Sequence, residues 1–336
     1  MNPTITAVAG LEAGHFTDRA HGTGCTVFIC RGGAVGGVDV RGGSPGTRET
    51  DLLRPAHRVD RVHGLLLTGG SAFGLDAAGG VVDYLSGQGI GFSVGSVVVP
   101  IVPAAVLFDL GLLASDVRPR FSDGLAASLS ACSDPMEVGS VGAGTGATVA
   151  KGRGMEAAIK SGIGSAFIKL PDGITVAAAV AVNAYGGVYD YHSGSLIAGP
   201  RRPGESGMDD PVDLLLSGHA GQSSGPLSNT TIGVVATDAA LNKEGANYLA
   251  SVSHDGLALT IRPCHTERDG DTMFALATGS TDGNGTQTVD LTLMGAAAVE
   301  VTARAVINAL RRATSLGGLP SISDMNAETS GGPVAA

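Results

Sequence analysis

The sequence predicts a mixed α+β fold, because short apolar or β-branched runs alternate with segments of helical periodicity along its 336 residues. Hydrophobic residues make up 43% of the chain and charged residues 15%, so a sizeable core is available and disorder is not expected. Aromatic residues reach only 4%, whereas Gly occurs 53 times. This mixture favours small side chains packed between close layers and many tight turns, within one large domain or two small ones.

The first two-thirds of the chain supply several strands and one helix. Short runs bounded by turn residues predict buried strands at 25–29, 64–67 and 174–182. Four residues at helical spacing predict a helix capped near Ser71, namely Leu75, Ala78, Val82 and Leu85. The most apolar run, 94–113, is broken by Pro100, Pro103 and Asp109, so it predicts buried strand and loop rather than a membrane span.

The composition changes between residues 193 and 228, where Gly, Pro, Ser and charged residues dominate. Only 212–216 has a helical pattern there, so 193–228 is predicted to be a mobile loop, longer than compact domains carry without a functional reason. A β-branched run at 231–236 follows directly and predicts a central strand. The remaining elements are predicted as a helix at 241–258, a strand at 273–278 and a helix at 294–312.

Charge and cysteine content exclude several classes of function. The net charge of −10 argues against a nucleic-acid partner, because phosphate binding needs a concentrated basic surface. The four cysteines form no CxxC pair and have no histidines at zinc-ligand spacing, so they are expected to be ordinary thiols. Residues 1–14 lack a basic start followed by an apolar core, so the expected location is cytoplasmic, with no membrane partner.

The junction at Asn229 and Thr230 is the unusual feature, because the predicted mobile loop runs there straight into a buried strand. If the chain were cut between these two residues, Thr230 would carry a free α-amine beside its hydroxyl. Such an amine can act as the general base for its own residue, since its unperturbed pKa is about 7.7–8.0. The ordinary alternative is that these residues form only a turn that enters a strand.

Six glycine-rich or polar motifs occur in one order across most of the chain. They are 41–51 (RGGSPGTRETD), 67–75 (LTGGSAFGL), 100–103 (PIVP), 142–147 (GAGTGA), 229–233 (NTTIG) and 269–272 (DGDT). Together they resemble the DmpA-type aminopeptidases, a family that includes β-aminopeptidases and nylon oligomer hydrolases. The Asn-Thr-Thr sequence is most similar to the nylon oligomer hydrolases, since the peptide-directed members typically carry Ser.

The resemblance implies a four-layer αββα sandwich of the N-terminal-nucleophile type, formed by 1–336 as a single domain. It implies self-cleavage into fragments 1–229 and 230–336, and a homo-oligomer of such heterodimers, often a tetramer. The implied activity is hydrolysis of short amino-acyl amides or peptides, with 6-aminohexanoate oligomers among the candidate substrates. No metal and no cofactor are expected.

The resemblance also assigns catalytic roles to five residues. Carried over by position, Thr230 is the nucleophile, Asn183 donates to the oxyanion, and Lys151 lowers the pKa of the Thr230 amine or binds a carboxylate. Asp269 and Asp271 match the paired acids of the family, which would orient Thr230 or bind a substrate ammonium. The ordinary alternatives are a solvated lysine, an asparagine that satisfies a turn, and a hairpin turn or weak cation site at the two acids.

Three further residues are candidates for substrate binding. Gly70 and Ser71 could bring backbone N–H groups near the substrate at a helix start, or could serve only close packing. Phe108 stands where some family members have a Tyr whose hydroxyl helps to hold the oxyanion, so that donor is missing. His254 and His265 are expected to be structural, because an amine base needs no histidine.

Two other functions stay open. A self-processing acyltransferase of the ornithine acetyltransferase type uses the same self-cleaving Thr, because an amine can intercept the acyl-enzyme in place of water. An inactive small-molecule binding or assembly protein would show a single uncut band near its 33.3 kDa on a denaturing gel, whereas a self-cleaving enzyme shows two.

Overall fold

The computed structural model describes residues 3–204, 207–219, 229–279 and 289–329. The strands are β1 (Glu12–Asp18), β2 (Thr23–Val40), β3 (Thr47–Arg48), β4 (Arg61–Thr68), β5 (Phe92–Val94), β6 (Val97–Val99), β7 (Ala104–Val106), β8 (Thr148–Val149), β9 (Ile159–Lys160), β10 (Ile163–Lys169), β11 (Thr175–Asn183), β12 (Gly187–Tyr189), β13 (Leu196–Ala198), β14 (Thr230–Thr237), β15 (Ile261–Arg262) and β16 (Thr272–Ala277). The α-helices are α1 (Ala77–Gly87), α2 (Phe121–Leu129), α3 (Pro211–Leu216), α4 (Lys243–Thr260), α5 (Leu291–Arg311) and α6 (Ile322–Thr329).

A long, folded sheet forms the centre of the protein. Within the described residues its strand order is β10-β11-β14-β16-β2-β4-β7-β3, with β1 paired to β2. β2 is 18 residues long, and its register with β4 shifts between Ile29 and Ala34. Residues 23–29 of β2 pair with β1, residues 25–35 pair with β4 across the shift, and residues 35–40 pair with β16. β2 therefore joins two sheet layers that face each other.

Apolar clusters in the described part of the chain fill the spaces between successive layers. Phe28, Leu65, Ala179, Ile232 and Phe274 belong to the cluster between the two sheet layers. A second cluster joins α1 and α2 to the outer side of β2 and β4. A third joins α4 and α5 to the other side of β11, β14 and β16. The order helix, sheet, sheet, helix confirms the predicted four-layer αββα sandwich.

The predicted strands and long helices are confirmed, with shifted ends. The run at 25–29 lies inside β2, and 64–67 lies inside β4. Helix α4 begins two residues later than predicted, because the Asn242 side chain caps it by accepting a hydrogen bond from the Gly245 N–H at 2.9 Å. Helix α5 is apolar and long enough to span a bilayer, but most of it is packed against the core. All four cysteines are free thiols, as predicted.

Two predictions of local structure are wrong. Ser71 does not cap a helix, because Gly70 and Ser71 both have positive φ (82° and 54°) and turn the chain into a 3-10 helix, so α1 starts only at Ala77. The run at 94–113 is not buried throughout, since Val94 and Val97 lie in an exposed hairpin, β5–β6, with 56% and 59% of their surface accessible.

The segment predicted as a mobile loop, 193–228, has more regular structure than its composition suggested. It contains β13 and α3, and Asp210 begins α3 by accepting a hydrogen bond from the Val212 N–H at 2.9 Å. Residues 205–206 and 220–228 lie outside the described residues. The mobility of the segment stays a prediction.

Candidate active site

The pairing of three strands brings the predicted site residues to one end of the sheet. β11 and β14 are antiparallel and pair Asn183 with Thr230, so the last residue of one strand lies beside the first residue of the other. β16 runs parallel to β14, which places Asp269 and Asp271 at the same end, just before β16 begins. Alternation along β14 gives Thr230 the same face as Ile232, which belongs to the core between the sheets.

Thr230 is almost completely enclosed, with 5% of its surface accessible. Its hydroxyl donates a hydrogen bond to the carbonyl oxygen of Asn229, the residue before it. Asn229 forms a parallel bridge with Asp269, so the peptide bond before Thr230 lies directly against the turn that carries the two acids. The predicted nucleophile is thus in contact with the peptide group that it would attack.

Lys151 and Asn183 form a buried pair beside Thr230. The Lys151 ammonium donates to the Asn183 side-chain oxygen at 2.8 Å and to its backbone carbonyl at 3.3 Å. Lys151 is 2% exposed, so the alternative of a solvated lysine is wrong. Burial lowers the pKa of Lys151 to about 7, although the nearby charges of Asp269 and Asp109 act in the opposite direction. Near neutral pH, this amine is therefore able to accept a proton as well as to donate one.

The amide of Asn183 is held from both ends. Its oxygen accepts from Lys151 and from the Thr148 N–H at 3.0 Å, and its nitrogen donates to the Phe108 carbonyl at 2.9 Å. An amide nitrogen has two hydrogens, so one N–H beyond the bond to Phe108 is available for a reacting carbonyl. Phe108 thus contributes a main-chain oxygen that orients Asn183, a role that its side-chain identity did not predict.

Asp269 lies on the Thr230 side of the acid turn and is 1% exposed. Its carboxylate accepts hydrogen bonds from the Thr266 N–H at 2.9 Å and from the Thr266 hydroxyl. Burial raises the pKa of Asp269, and the charge of Asp271 raises it further. Thr266 thus holds this carboxylate in place, and its ionised form acts against the lowering of the Lys151 pKa.

Asp271 positions the strand of the nucleophile rather than the nucleophile itself. One carboxylate oxygen accepts from the Thr231 N–H at 2.6 Å, and the other accepts from the His265 N–H at 3.0 Å and the His265 ring Nδ1 at 2.8 Å. Both oxygens accept hydrogen bonds from the protein, which favours a role in orienting the strand of Thr230 over a pairing with a substrate ammonium. The two carboxylates contact different groups, since Asp271 accepts from Thr231 of β14 whereas Asp269 accepts from Thr266.

His265 is the residue whose importance sequence reasoning missed. Burial favours its neutral form, but the hydrogen bond to Asp271 outweighs that effect and raises the pKa of His265 to about 10. This shift favours the protonated ring, and in that form His265 makes an ion pair with Asp271. His254 packs edge-on against it, with 4.7 Å between ring centroids, and burial lowers the pKa of His254 to about 4. The expectation of a merely structural role fits His254 better than His265.

The first motif, 41–51, supports the acid turn from behind. The Gly42 N–H donates to the Asp271 carbonyl at 3.2 Å, and the Ser44 N–H donates to the Asp269 carbonyl at 2.8 Å. A Cβ on Gly42 would lie 2.3 Å from the Asp269 carbonyl oxygen, so only glycine permits this approach. Two motifs that are far apart in the sequence therefore form one structural unit.

The structure corrects the predicted role of Gly70 and Ser71. The Gly70 N–H donates to the Asp109 carboxylate at 2.8 Å, and the Ser71 N–H donates to the Leu107 carbonyl at 2.9 Å. Both backbone groups are engaged within the protein, which favours the alternative of close packing. Asp109 is buried, which raises its pKa to about 6 despite the hydrogen bond from Gly70, and the sequence marked it only as a break in the apolar run.

The assembled groups are suited to acyl transfer. They comprise a buried hydroxyl against a peptide carbonyl, an amine with a pKa near neutrality, and an amide that can donate to an oxyanion. Among the described residues, no group of three or more His, Cys, Asp or Glu side chains is arranged to hold a metal ion.

A family model and individual relatives place the chain in the same family. The chain matches peptidase family S58 over residues 3–321. It is 42% identical to an uncharacterized aminopeptidase of Mycobacterium tuberculosis strain H37Rv, over 96% of this chain and 97% of that protein. It is 31% identical to a 6-aminohexanoate-oligomer endohydrolase of Paenarthrobacter ureafaciens, over 89% of this chain and 83% of that protein. These matches confirm the resemblance predicted from the motifs.

Solved structures share the fold at lower sequence identity. A β-aminopeptidase of Burkholderia sp. superposes with a TM-score of 0.68 at 22% identity, covering 99% of this chain and 96% of that one. The L-aminopeptidase D-Ala-esterase/amidase of Ochrobactrum anthropi is described as a variant of the Ntn hydrolase fold. It superposes with a TM-score of 0.69 at 20% identity, covering 95% of this chain and 88% of that one. The fold is therefore that of the Ntn hydrolases.

Proposed function

This chain belongs to peptidase family S58, and on that premise we propose that it cleaves itself between Asn229 and Thr230 and then hydrolyses short amides with Thr230. The observation that carries the proposal is the position of the Thr230 hydroxyl, enclosed and in contact with the Asn229 carbonyl. A surface turn would have no reason to bury this hydroxyl beside Asn183, whose side-chain oxygen accepts from a lysine with a pKa of about 7.

In self-cleavage, the Thr230 Oγ1 attacks the Asn229 carbonyl carbon and the carbonyl electrons move to its oxygen. The intermediate then expels the Thr230 nitrogen, which gains a proton as Oγ1 loses one, and an ester remains. Water hydrolyses this ester to a carboxylate on Asn229 and a free hydroxyl on Thr230. No free α-amine exists before the cut, so the neutral form of Lys151 is the base that we assign to this stage.

Turnover uses the same oxygen with a different base. The new α-amine of Thr230 accepts the hydroxyl proton, while the Asn183 amide donates to the oxyanion of the substrate. Removal of one such donor typically costs ~10²–10³ in rate. The buried pair of Lys151 and Asn183 stays near the new amine, and the protonated form of Lys151 would lower the pKa of that amine.

The proposed substrates are short amino-acyl amides. Support comes from the relatives named as aminopeptidases and as 6-aminohexanoate-oligomer endohydrolases, and the latter name makes linear ω-amino acid oligomers the first substrates to assay. A homo-oligomer of cleaved heterodimers and a cytoplasmic location are parts of the same proposal. Transfer of the acyl group to an added amine is the alternative outcome of that assay.

The test is intact mass spectrometry of the purified protein, with N-terminal sequencing of the smaller species. We expect a fragment that begins at Thr230 in the wild type and a single intact chain in Thr230→Ala. Thr231→Ala is the matched control, because it removes the neighbouring buried hydroxyl, whose side chain points to the opposite face of β14. A cut Thr230→Ala chain, or an active wild type with an unbroken backbone at this site, would refute the proposal.

A further inference from the structure

The carbonyl of Asn229 accepts a second hydrogen bond besides the one from Thr230. The backbone N–H of Gly270 donates to this oxygen at 2.9 Å. Negative charge develops on this oxygen when Oγ1 attacks, so a donor fixed there stabilises the transition state more than the ground state. We infer that the Gly270 N–H is the oxyanion donor of self-cleavage, an assignment that rests on the self-cleavage proposed above.

The donor is fixed in place before any reaction. The peptide group between Asp269 and Gly270 is held at both ends, because its carbonyl accepts from the Ser44 N–H at 2.8 Å while its N–H faces Asn229. A donor that needs no reorientation during the reaction contributes its full electrostatic effect. Ser44 and the first motif thus align the Gly270 N–H through the turn that they support.

Asn229 is held at two points by the same turn. Its own N–H donates to the Arg268 carbonyl at 3.2 Å, while its carbonyl accepts from Gly270. The two bonds form the parallel bridge with Asp269 and prevent rotation of the Asn229 carbonyl away from Thr230. The turn 268–270 therefore both polarises the scissile carbonyl and holds it in reach of Oγ1.

Position 270 accepts no side chain without losing this arrangement. A Cβ there would lie 2.8 Å from the Thr230 Oγ1 and 2.7 Å from the Ser44 carbonyl oxygen. Both distances are shorter than a normal carbon–oxygen contact, and the nearer atom belongs to backbone. Glycine therefore keeps the donor, the scissile carbonyl and the nucleophile in mutual contact.

The electron balance of the step is simple. The new bond joins the Thr230 Oγ1 to the Asn229 carbonyl carbon, and the carbonyl π electrons move to the oxygen that Gly270 contacts. As the intermediate collapses, these electrons return and the bond to the Thr230 nitrogen breaks, and this nitrogen takes up the proton that Oγ1 has lost. The Gly270 proton remains on its nitrogen throughout, so the N–H acts only by hydrogen bonding.

The decisive experiment replaces the Gly270 N–H by oxygen without adding a side chain. Cell-free translation of the full chain with glycolic acid at position 270 converts the Asp269–Gly270 amide to an ester. The same exchange at Gly173 is the matched control, because it removes an N–H that donates to the Leu170 carbonyl at 2.9 Å in an exposed turn. Cleavage is followed on denaturing gels over time.

We expect the ester at 270 to slow self-cleavage ~10²–10³-fold and the ester at 173 to leave the rate unchanged. Cleavage of the 270 ester at the rate of the unmodified chain overturns the inference and leaves the proposed function intact. If neither the unmodified chain nor the 173 ester is cut before Thr230, the proposed function itself fails.

A second measurement does not depend on how well the ester chain folds. In the uncleaved Thr230→Ala protein, the Gly270 amide should exchange with D₂O far more slowly than an unprotected amide, because the hydrogen bond to Asn229 protects it. Rapid exchange of this amide in a folded chain would overturn the inference independently of any rate.

Discussion

Replacement of Lys151 by Met tests whether a neutral lysine drives the first cut. Met is also unbranched and buries well, but it can neither hold a charge nor accept a proton. The Asn183 side-chain oxygen keeps its hydrogen bond from the Thr148 N–H, so the amide should stay oriented. We therefore expect Lys151→Met to fold and to cleave itself more than tenfold more slowly.

The size of the pH effect follows from the pKa of Lys151, which burial lowers to about 7. A base with this pKa is roughly a tenth unprotonated at pH 6 and roughly nine-tenths unprotonated at pH 8. Because only the unprotonated form accepts the Thr230 proton, the wild-type cleavage rate should rise about tenfold between these values. In Lys151→Met this rise should be absent.

The assay refolds the denatured precursor at a series of pH values and follows the two fragments on denaturing gels. Lys160→Met is the matched control, because Lys160 is also fully buried with a pKa lowered to about 7, but it donates to the Gly144 and Ala147 carbonyls. This variant should lose stability yet keep the pH dependence of cleavage. A Lys151→Met chain with the wild-type rate and pH profile would refute the assignment of Lys151 as the base.

Two further substitutions test the support of the site. His265→Gln removes the charge from the hydrogen bond to Asp271, and hydrogen bonds to charged groups contribute about 1.5–3 kcal/mol to stability. The melting temperature of the Thr230→Ala precursor, measured by calorimetry, should therefore fall. An unchanged melting temperature at neutral pH would contradict the ion pair. Gly42→Ala should abolish or strongly slow cleavage in a folded chain, because its Cβ would displace the acid turn, whereas Gly32→Ala, which meets no atom within 4 Å, should cleave normally on the same gels. Normal cleavage of Gly42→Ala would show that the turn tolerates displacement.

The sequence predicts the strands of the active site well because they are buried on both faces. The runs at 174–182 and 231–236 contain few polar residues, so their type is clear from composition. The pairing of Asn183 with Thr230 could not be predicted in this way. Register depends on which strands become neighbours, and that in turn depends on contacts between residues far apart in the chain.

The groups that sequence reasoning missed act through the main chain or through tertiary contacts. Phe108 and Gly270 contribute a carbonyl and an N–H, which every residue type carries. The charge state of His265 depends on its distance from Asp271, and the two are joined by a turn in which His265 has a φ of 54°. Neither a motif nor a periodicity carries information of this kind.

The strand order determines what holds the protein together after a cut at Asn229. β14 and β16 both follow the cut, yet they lie side by side between β11 and β2, which both precede it. Each fragment therefore supplies strands that the other needs to complete its hydrogen-bonded sheet. We expect the fragments to stay together on dilution and to part only when the sheet unfolds, so breakage of one covalent bond should cost the protein little of its mechanical integrity.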